Sequence, residues 1–373
     1  MITLYTPGHH EVTDTLIMYG LVKVIKTAEP LVKIKIRNLG MSYEIICSDN
    51  VNLNRITEAI KLELEGIAKI IEKEREIGNQ LRILKKQKKR ASHELASTFS
   101  ILHQKSPAAL DPNPINSRRI VENVKKLSKN VNYNIFEYYS YKSETHFGNM
   151  KKCGIRKSQA KGGSLVILPI GGNLQAGNLQ LRYNLCESCQ TLVWIGMYNF
   201  AIRMSHQNKS TIGVLTFEDQ ANDVDVLLLK NFAEIVDMGE YWGDFPLKAI
   251  PMLIFSIGET PMAFSTLNWK FIGYILGGEG KAAAIRSYES FKINNLLRFF
   301  EKAKIYSYNV AKLVDILRRN NDGIQALSMF SEAIIYKDID LLYRAIRFMN
   351  NVLQSKQNIL DEGIIKAAFE VCG

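Results

Sequence analysis

The chain has 373 residues, enough for two domains, and 46% of them are hydrophobic, so a large core can be buried and extensive disorder is excluded. Its formal net charge is +11 and its pI about 9.2, an excess that speaks of partners rather than of fold: a polyanion such as DNA or RNA first, an acidic membrane surface second. The longest apolar stretches, such as Ala249 to Ile257, are about half of what spans a bilayer, and the opening residues lack a secretory pattern. Five scattered cysteines make no disulfide framework; the expectation is a cytoplasmic protein in a reducing compartment.

In chain order, residues 1–50 read as a small α/β unit. Asp14 is placed to cap a helix carrying Leu16, Ile17, Leu21, Val24 and Ile25. The run Leu31 to Arg37 alternates apolar with basic, the period of a strand with one wet face, and Asn38-Leu39-Gly40 is turn chemistry. The expected hairpin shows Lys33, Lys35 and Arg37 in a row. Residues 53–104 read as a long helix with Ile56, Ile60, Leu64, Ile67, Ile71 and Ile77 on one face, weakened at Gly66 and Gly78. Pro107, Pro112 and Pro114 end it, and a shorter helix covers 117–135.

From Asn132 to Gly163 periodicity fades and aromatic residues mix with basic ones. Leu165 to Ile170 reads as a short strand, Gly171 to Asn178 as a glycine-rich turn, and Leu179 to Leu185 as another strand. A helix runs from the cysteine pair to Met204. Strands are expected at Thr211 to Phe217 and Ala249 to Ile257, with a helix over Val224 to Val236 and an acidic texture from Glu218 to Asp244. Residues 258–373 read as helical almost throughout, with breaks at Asn321-Asp322-Gly323 and at Lys337-Asp338. The expected fold is therefore an α/β (α+β) N-terminal region, residues 1–257, followed by a C-terminal helical bundle, residues 258–373.

Two clusters point to nucleic acid. Arg82, Lys85, Lys86, Lys88, Lys89 and Arg90 crowd six cations into nine residues. A polyanion relieves their mutual repulsion by shedding its own counterions; a solvated helix end favoured by the dipole is the plainer alternative. Tyr133, Phe136, Tyr138, Tyr139, Tyr141 and Phe147 precede Lys151, Lys152, Arg156, Lys157 and Lys161. Stacking platforms beside cations suit a single strand, because every base has a π-face and every link a charge; aromatics packed in a core beside an ordinary basic loop would read the same way. Arg118 and Arg119 add charge to the shorter helix.

The glycine-rich stretches fit neither a P-loop nor a dinucleotide fingerprint. Cys186-x-x-Cys189 is half of a zinc ribbon, and Cys153 is the nearest third thiol; a closed zinc site needs four ligands, so buried thiols are the favoured reading and no cofactor is expected. His9-His10 beside Glu11 is a weak metal signal. There is no nucleophile elbow, no H-E-x-x-H and no paired-carboxylate signature, so no catalytic residue is identified.

Taken together, the opening segment Asp14-Thr15-Leu16-Ile17-Met18-Tyr19-Gly20-Leu21, the basic and aromatic centre, the segment from Leu185 to Leu192 around the cysteine pair, and the helical C-terminus resemble the large subunit of the subtype I-A CRISPR interference complex (Cascade) of archaea, the Csa family. The resemblance implies a non-enzymatic subunit that contacts guide RNA (crRNA) and target double-stranded DNA. It implies reading of the short motif beside the target (the PAM), and work alongside backbone and small subunits and a helicase-nuclease. Lys161, Asn173, Gln175 and Asn178 are the duplex-reading candidates by residue type. An RNA-processing enzyme and a protein scaffold are the rival readings.

Overall fold

The structure is a computed structural model. It describes residues 1–9, 11–40, 42–105, 114–130, 134–141, 154–157, 172–176, 179–206, 209–235, 246–256, 267–277, 284–306, 310–355 and 358–373. The elements in order are β1 (Ile2–Tyr5), α1 (Glu11–Ala28), β2 (Ile34–Asn38), β3 (Tyr43–Cys47), α2 (Leu53–Lys86), α3 (His93–Lys105), α4 (Pro114–Asn130), α5 (Ile135–Tyr138), β4 (Gly154–Lys157), β5 (Gly172–Ala176), β6 (Leu179–Asn184), α6 (Glu187–Phe200), β7 (Ile202–His206), β8 (Lys209–Phe217), β9 (Gln220–Asn222), α7 (Asp223–Ile235), α8 (Ala249–Phe255), β10 (Trp269–Gly277), β11 (Ala284–Lys292), α9 (Asn294–Tyr306), α10 (Val310–Leu317), α11 (Asn321–Tyr336), α12 (Ile339–Gln354) and α13 (Glu362–Cys372). Helix predominates, with small antiparallel sheets in the N-terminal region and a run of helices at the C-terminus, as the composition and periodicity led one to expect.

Two compact units emerge. The first comprises Met1–Arg203, Asp219–Gly239 and Leu276–Arg286; the second comprises Met204–Glu218, Glu240–Ile275 and Ser287–Gly373. The boundary expected at residues 257 and 258 lies outside the described residues.

The first unit is organised around α1. Its residues from Val12 to Val22 are all buried, which an even mix of Leu, Ile, Val, Met and small residues allows and an amphipathic helix would not. It packs closely on α6, and the reason is two glycines. A Cβ on Gly20 would lie 2.2 Å from the Leu192 carbonyl oxygen, and one on Gly196 would lie 2.0 Å from that of Leu16. Asp14 lies in the first turn rather than at the cap: its Oδ1 accepts from the Gly8 amide at 2.9 Å.

Beside α1 stands a four-stranded antiparallel sheet of order β1-β3-β2-β9. The expected hairpin of β2 and β3 is present, with Ile36 opposite Ile45 and Arg37 opposite Glu44. Alternation sends Leu4, Ile34, Ile36 and Ile45 into the core and leaves Lys33, Lys35 and Arg37 exposed. A second, three-stranded sheet has the order β4-β6-β5.

The long helix expected over 53–104 is two helices. Asn52 caps α2 by accepting from the amides of Asn54 and Arg55. Its stripe of Ile56, Ile60, Leu64, Ile67 and Ile71 is buried, each side chain contributing about 1.5–3 kcal/mol. The helix then stops at Lys86, and Ser92 starts α3 by accepting from the Leu95 amide at 3.2 Å. Gly78 is a packing site: a Cβ there would sit 2.9 Å from the Phe99 ring.

The second unit holds α8 to α13 and most of the sheet of order β11-β10-β8-β7. Three expectations are corrected here. Ala249 to Phe255 is helix α8, not a strand, and is buried on every side; a short all-apolar run carries no period to separate the two. β10 and β11 interrupt the stretch read as helical, and the ring of Phe271 fills the space left by Gly213 and Gly273. The helix after the cysteine pair ends at Phe200, where β7 begins shortly after. The break at Lys337-Asp338 is as expected: Lys337 takes a left-handed conformation (φ 56°) and Asp338 caps α12. Phe299, Phe300 and Phe330 form the aromatic centre of the helical core, at ring separations of 5.4 Å.

Candidate nucleic-acid interface

The basic run straddles the end of α2. Arg82, Lys85 and Lys86 occupy its last turns, while Lys88, Lys89 and Arg90 lie in the connection to α3. The helix closes without glycine. Lys88 takes the left-handed conformation at φ 55°, and the amides of Lys88 and Lys89 donate back to the carbonyls of Lys85 and Leu84 at 3.1 and 3.0 Å. That geometry usually selects glycine, and a lysine there costs about 1–2 kcal/mol. All six cations are exposed. The ion pairs of neighbouring helix positions join Arg55 to Glu29, Lys61 to Glu58 and Lys125 to Glu72. Among the described residues none of the six cations has a carboxylate partner. Among the described residues the run is therefore an uncompensated concentration of positive charge, held by a strained helix end.

The second cluster lies on the three-stranded sheet. Arg156 stands opposite Arg182, which stands opposite Asn173; Gln180 stands opposite Gln175. The two-residue period places these five positions on one face, with Ile155, Leu181 and Leu174 at positions of the other. The stretch expected as a glycine-rich turn is thus largely strand β5, and Asn173 and Gln175 belong to a sheet face rather than a loop. Gln180 and Arg182 were missed by sequence reasoning, although the alternation Leu179-Gln180-Leu181-Arg182 carries the signal. Lys157 is on β4, and Arg118 and Arg119 are in α4. Lys151, Lys152, Cys153, Lys161 and Asn178 lie outside the described residues.

Tyr139 is a correction. It is fully buried, its hydroxyl donates to Cys189 Sγ at 3.4 Å, and its carbonyl accepts from the Tyr5 amide at 2.6 Å, so it is not open to a base. Two residues on, Tyr141 is 65% exposed. The cysteine pair also has a local explanation. Cys186 caps α6, its sulfur accepting from the Cys189 amide at 3.4 Å, and Cys189 is buried. Among the described residues no three His, Cys, Asp or Glu side chains gather as a metal site requires.

The acidic stretch is partly used internally. Asp223 pairs with Lys26 at 2.8 Å and Glu218 with Lys292 at 2.9 Å. Among the described residues no helix is long and apolar enough to cross a membrane.

The sequence matches the model of the family CRISPR-associated protein (Cas_Csa4) over residues 2–366. The chain belongs to that family. The match runs from β1 into α13 and so takes in both units. The chain is also similar to the CRISPR system associated protein Cas8 of Thermoproteus tenax, with 23% identity over a 275-residue alignment covering 69% of each protein. The resemblance drawn from the opening helix and the cysteine segment holds at the level of the family. Within this Cas_Csa4 chain those two segments are neighbours: the opening helix α1 packs on α6, the helix that Cys186 caps.

Proposed function

We propose that this Cas_Csa4 protein is the large subunit of a type I-A Cascade-like surveillance complex in antiviral defence, that it binds crRNA and target double-stranded DNA and reads the PAM, and that it performs no catalysis itself. Its partners are the complex's backbone and small subunits and a helicase-nuclease, it acts in the cytoplasm, and it needs no cofactor. The observation that carries the reading is the exposed run from Arg82 to Arg90, without a carboxylate partner among the described residues, in a member of a CRISPR-associated family. Such charge binds phosphate irrespective of sequence. Sequence reading needs amides and guanidinium groups at base edges, and the register of Arg156, Arg182 and Asn173, with Gln175 opposite Gln180, supports a reading role for these positions of one sheet face.

The test separates the two roles. Binding of duplexes with and without the complex's PAM is measured across a salt series. Charge reversal at Lys85, Lys86, Lys88 and Lys89 should weaken both duplexes alike and flatten the salt slope by about one unit per lost phosphate contact. The pair Asn173→Ala and Gln175→Ala should erase discrimination worth about 1–3 kcal/mol per lost base contact and leave the slope unchanged. A charge-reversed protein with unaltered affinity would overturn the reading.

A further inference from the structure

The outer face of the sheet β1-β3-β2-β9 has no place in the reading above, and its chemistry is specific. Three cations line β2: Lys33, Lys35 and Arg37, all exposed. Lys33 directly precedes the strand; Asp219 follows at its other end, where its carbonyl accepts from the Asn38 amide, and Asp49 is next to Ser48, whose amide donates to the Lys33 carbonyl. In one cross-strand row stand Tyr5, Glu44, Arg37 and Gln220; in the next, Thr3, Ile46, Lys35 and Asn222. The first row is wired together. The Tyr5 hydroxyl donates to Glu44 Oε1 at 2.8 Å, and Arg37 donates to Glu44 Oε2 at 3.2 Å. This fixes the guanidinium over the sheet while half of the Arg37 side chain stays open to solvent.

The open edge of β1 is closed by the backbone of Tyr139, which accepts from the Tyr5 amide. That bond sets Tyr141 beside the sheet, its ring meeting Tyr5 edge-on at 5.5 Å. A buried tyrosine thus anchors an exposed one. The resulting face has an aromatic pair at one edge, cations in the middle, and the exposed Gln220 at the other edge, where the Asn222 side chain is turned to accept from the Val224 and Asp225 amides. Three strand spacings make it about 14 Å wide, room for two or three nucleotides.

We infer that this sheet face binds single-stranded RNA. Cations for phosphate and an exposed ring for stacking suit any single strand. The choice of RNA comes from Glu44. Its carboxylate, 15% exposed, already accepts from Tyr5 and Arg37, one bond on each oxygen; a lone pair left over on the exposed part accepts from a hydroxyl, and the ribose 2′-hydroxyl is the donor that DNA lacks. The inference rests on the nucleic-acid reading above and adds a surface separate from the α2 run and from the β4-β6-β5 sheet.

The experiment uses the full chain and fluorescence anisotropy with three labelled probes: oligouridylate, oligodeoxyuridylate and a short DNA duplex. Wild type should prefer oligouridylate to its deoxy counterpart. The double variant Tyr141→Ala with Lys35→Glu should bind oligouridylate about tenfold or more weakly, a loss expected for one stacked base and one phosphate contact, with duplex binding unchanged. Tyr141→Phe should retain the affinity, because the ring and not the hydroxyl does the stacking, and thermal melts of the variants should coincide. Oligouridylate binding that survives the double variant but falls on charge reversal at Lys85 and Lys86 would overturn the inference alone. Equal affinity for the deoxy probe would overturn the choice of RNA. A wild-type chain that binds none of the probes would overturn the nucleic-acid reading along with it.

Discussion

Asp14 is a carboxyl group in an apolar setting. It is buried at the start of α1, and among the described residues its Oδ2 has no hydrogen-bond partner. Burial pushes its pKa up to about 7, against hydrogen bonds from Thr6, Gly8 and His9 that pull it down. An unfolded aspartate titrates near about 3.9. Between those values the folded chain keeps a proton that the unfolded chain has released, so stability is fully present below about pH 4 and is lost as pH rises through about 7. Denaturant melts at pH 5 and pH 8 should show the wild type weakened by a few kcal/mol at the higher pH and Asp14→Asn much less affected; parallel profiles for the two proteins would refute this. At Cys186 the sulfur acts as a helix cap, so Cys186→Ser should hold or raise stability while Cys186→Ala costs about 1 kcal/mol. A metal-ligand role would make the serine variant the damaging one. Residue identity foretold neither role, because burial and capping are set by neighbours. Tyr139 and Tyr141 make the point: both belong to the aromatic segment visible in the sequence, yet one is a core residue and the other open to solvent.

Elements were legible where a period was clean. The alternation of Leu31 to Arg37 gave the hairpin and its basic face, and the isoleucines of α2 gave the helix and its buried stripe. The break at Lys88 was hidden, since lysine is a poor announcer of a left-handed helix end. The strands β10 and β11 were hidden too, because pairing with β8 in a sheet is a non-local cause that a local window does not hold. The packing of α1 on α6 is the firmest element-scale feature. Each glycine faces a backbone carbonyl of the other helix, and a backbone atom has no rotamer by which to yield. Gly20→Ala and Gly196→Ala should each cost about 2 kcal/mol or more by overpacking, read as a lower urea midpoint. An unchanged midpoint in either variant would mean that the helices separate without penalty.

For the whole molecule, the order of textures along the chain indicated the family. What they left open was which basic residues share a surface. Register places Arg156, Arg182 and Asn173 in one cross-strand row, while the Arg82 to Arg90 run lies within nine residues and needed no fold to be seen. The internal pairing of Asp223 and Glu218 also removes part of the acidic surface that a scaffold reading would use. Whether this chain works inside an RNA-guided complex is read by gentle purification of the tagged protein from the organism that encodes it, with identification of the bound proteins and short RNAs. The other subunits of a CRISPR complex should come down together with guide RNAs sharing uniform repeat-derived 5′ ends; recovery of ribosomal or transfer RNA alone, or of protein partners without nucleic acid, would rule that role out.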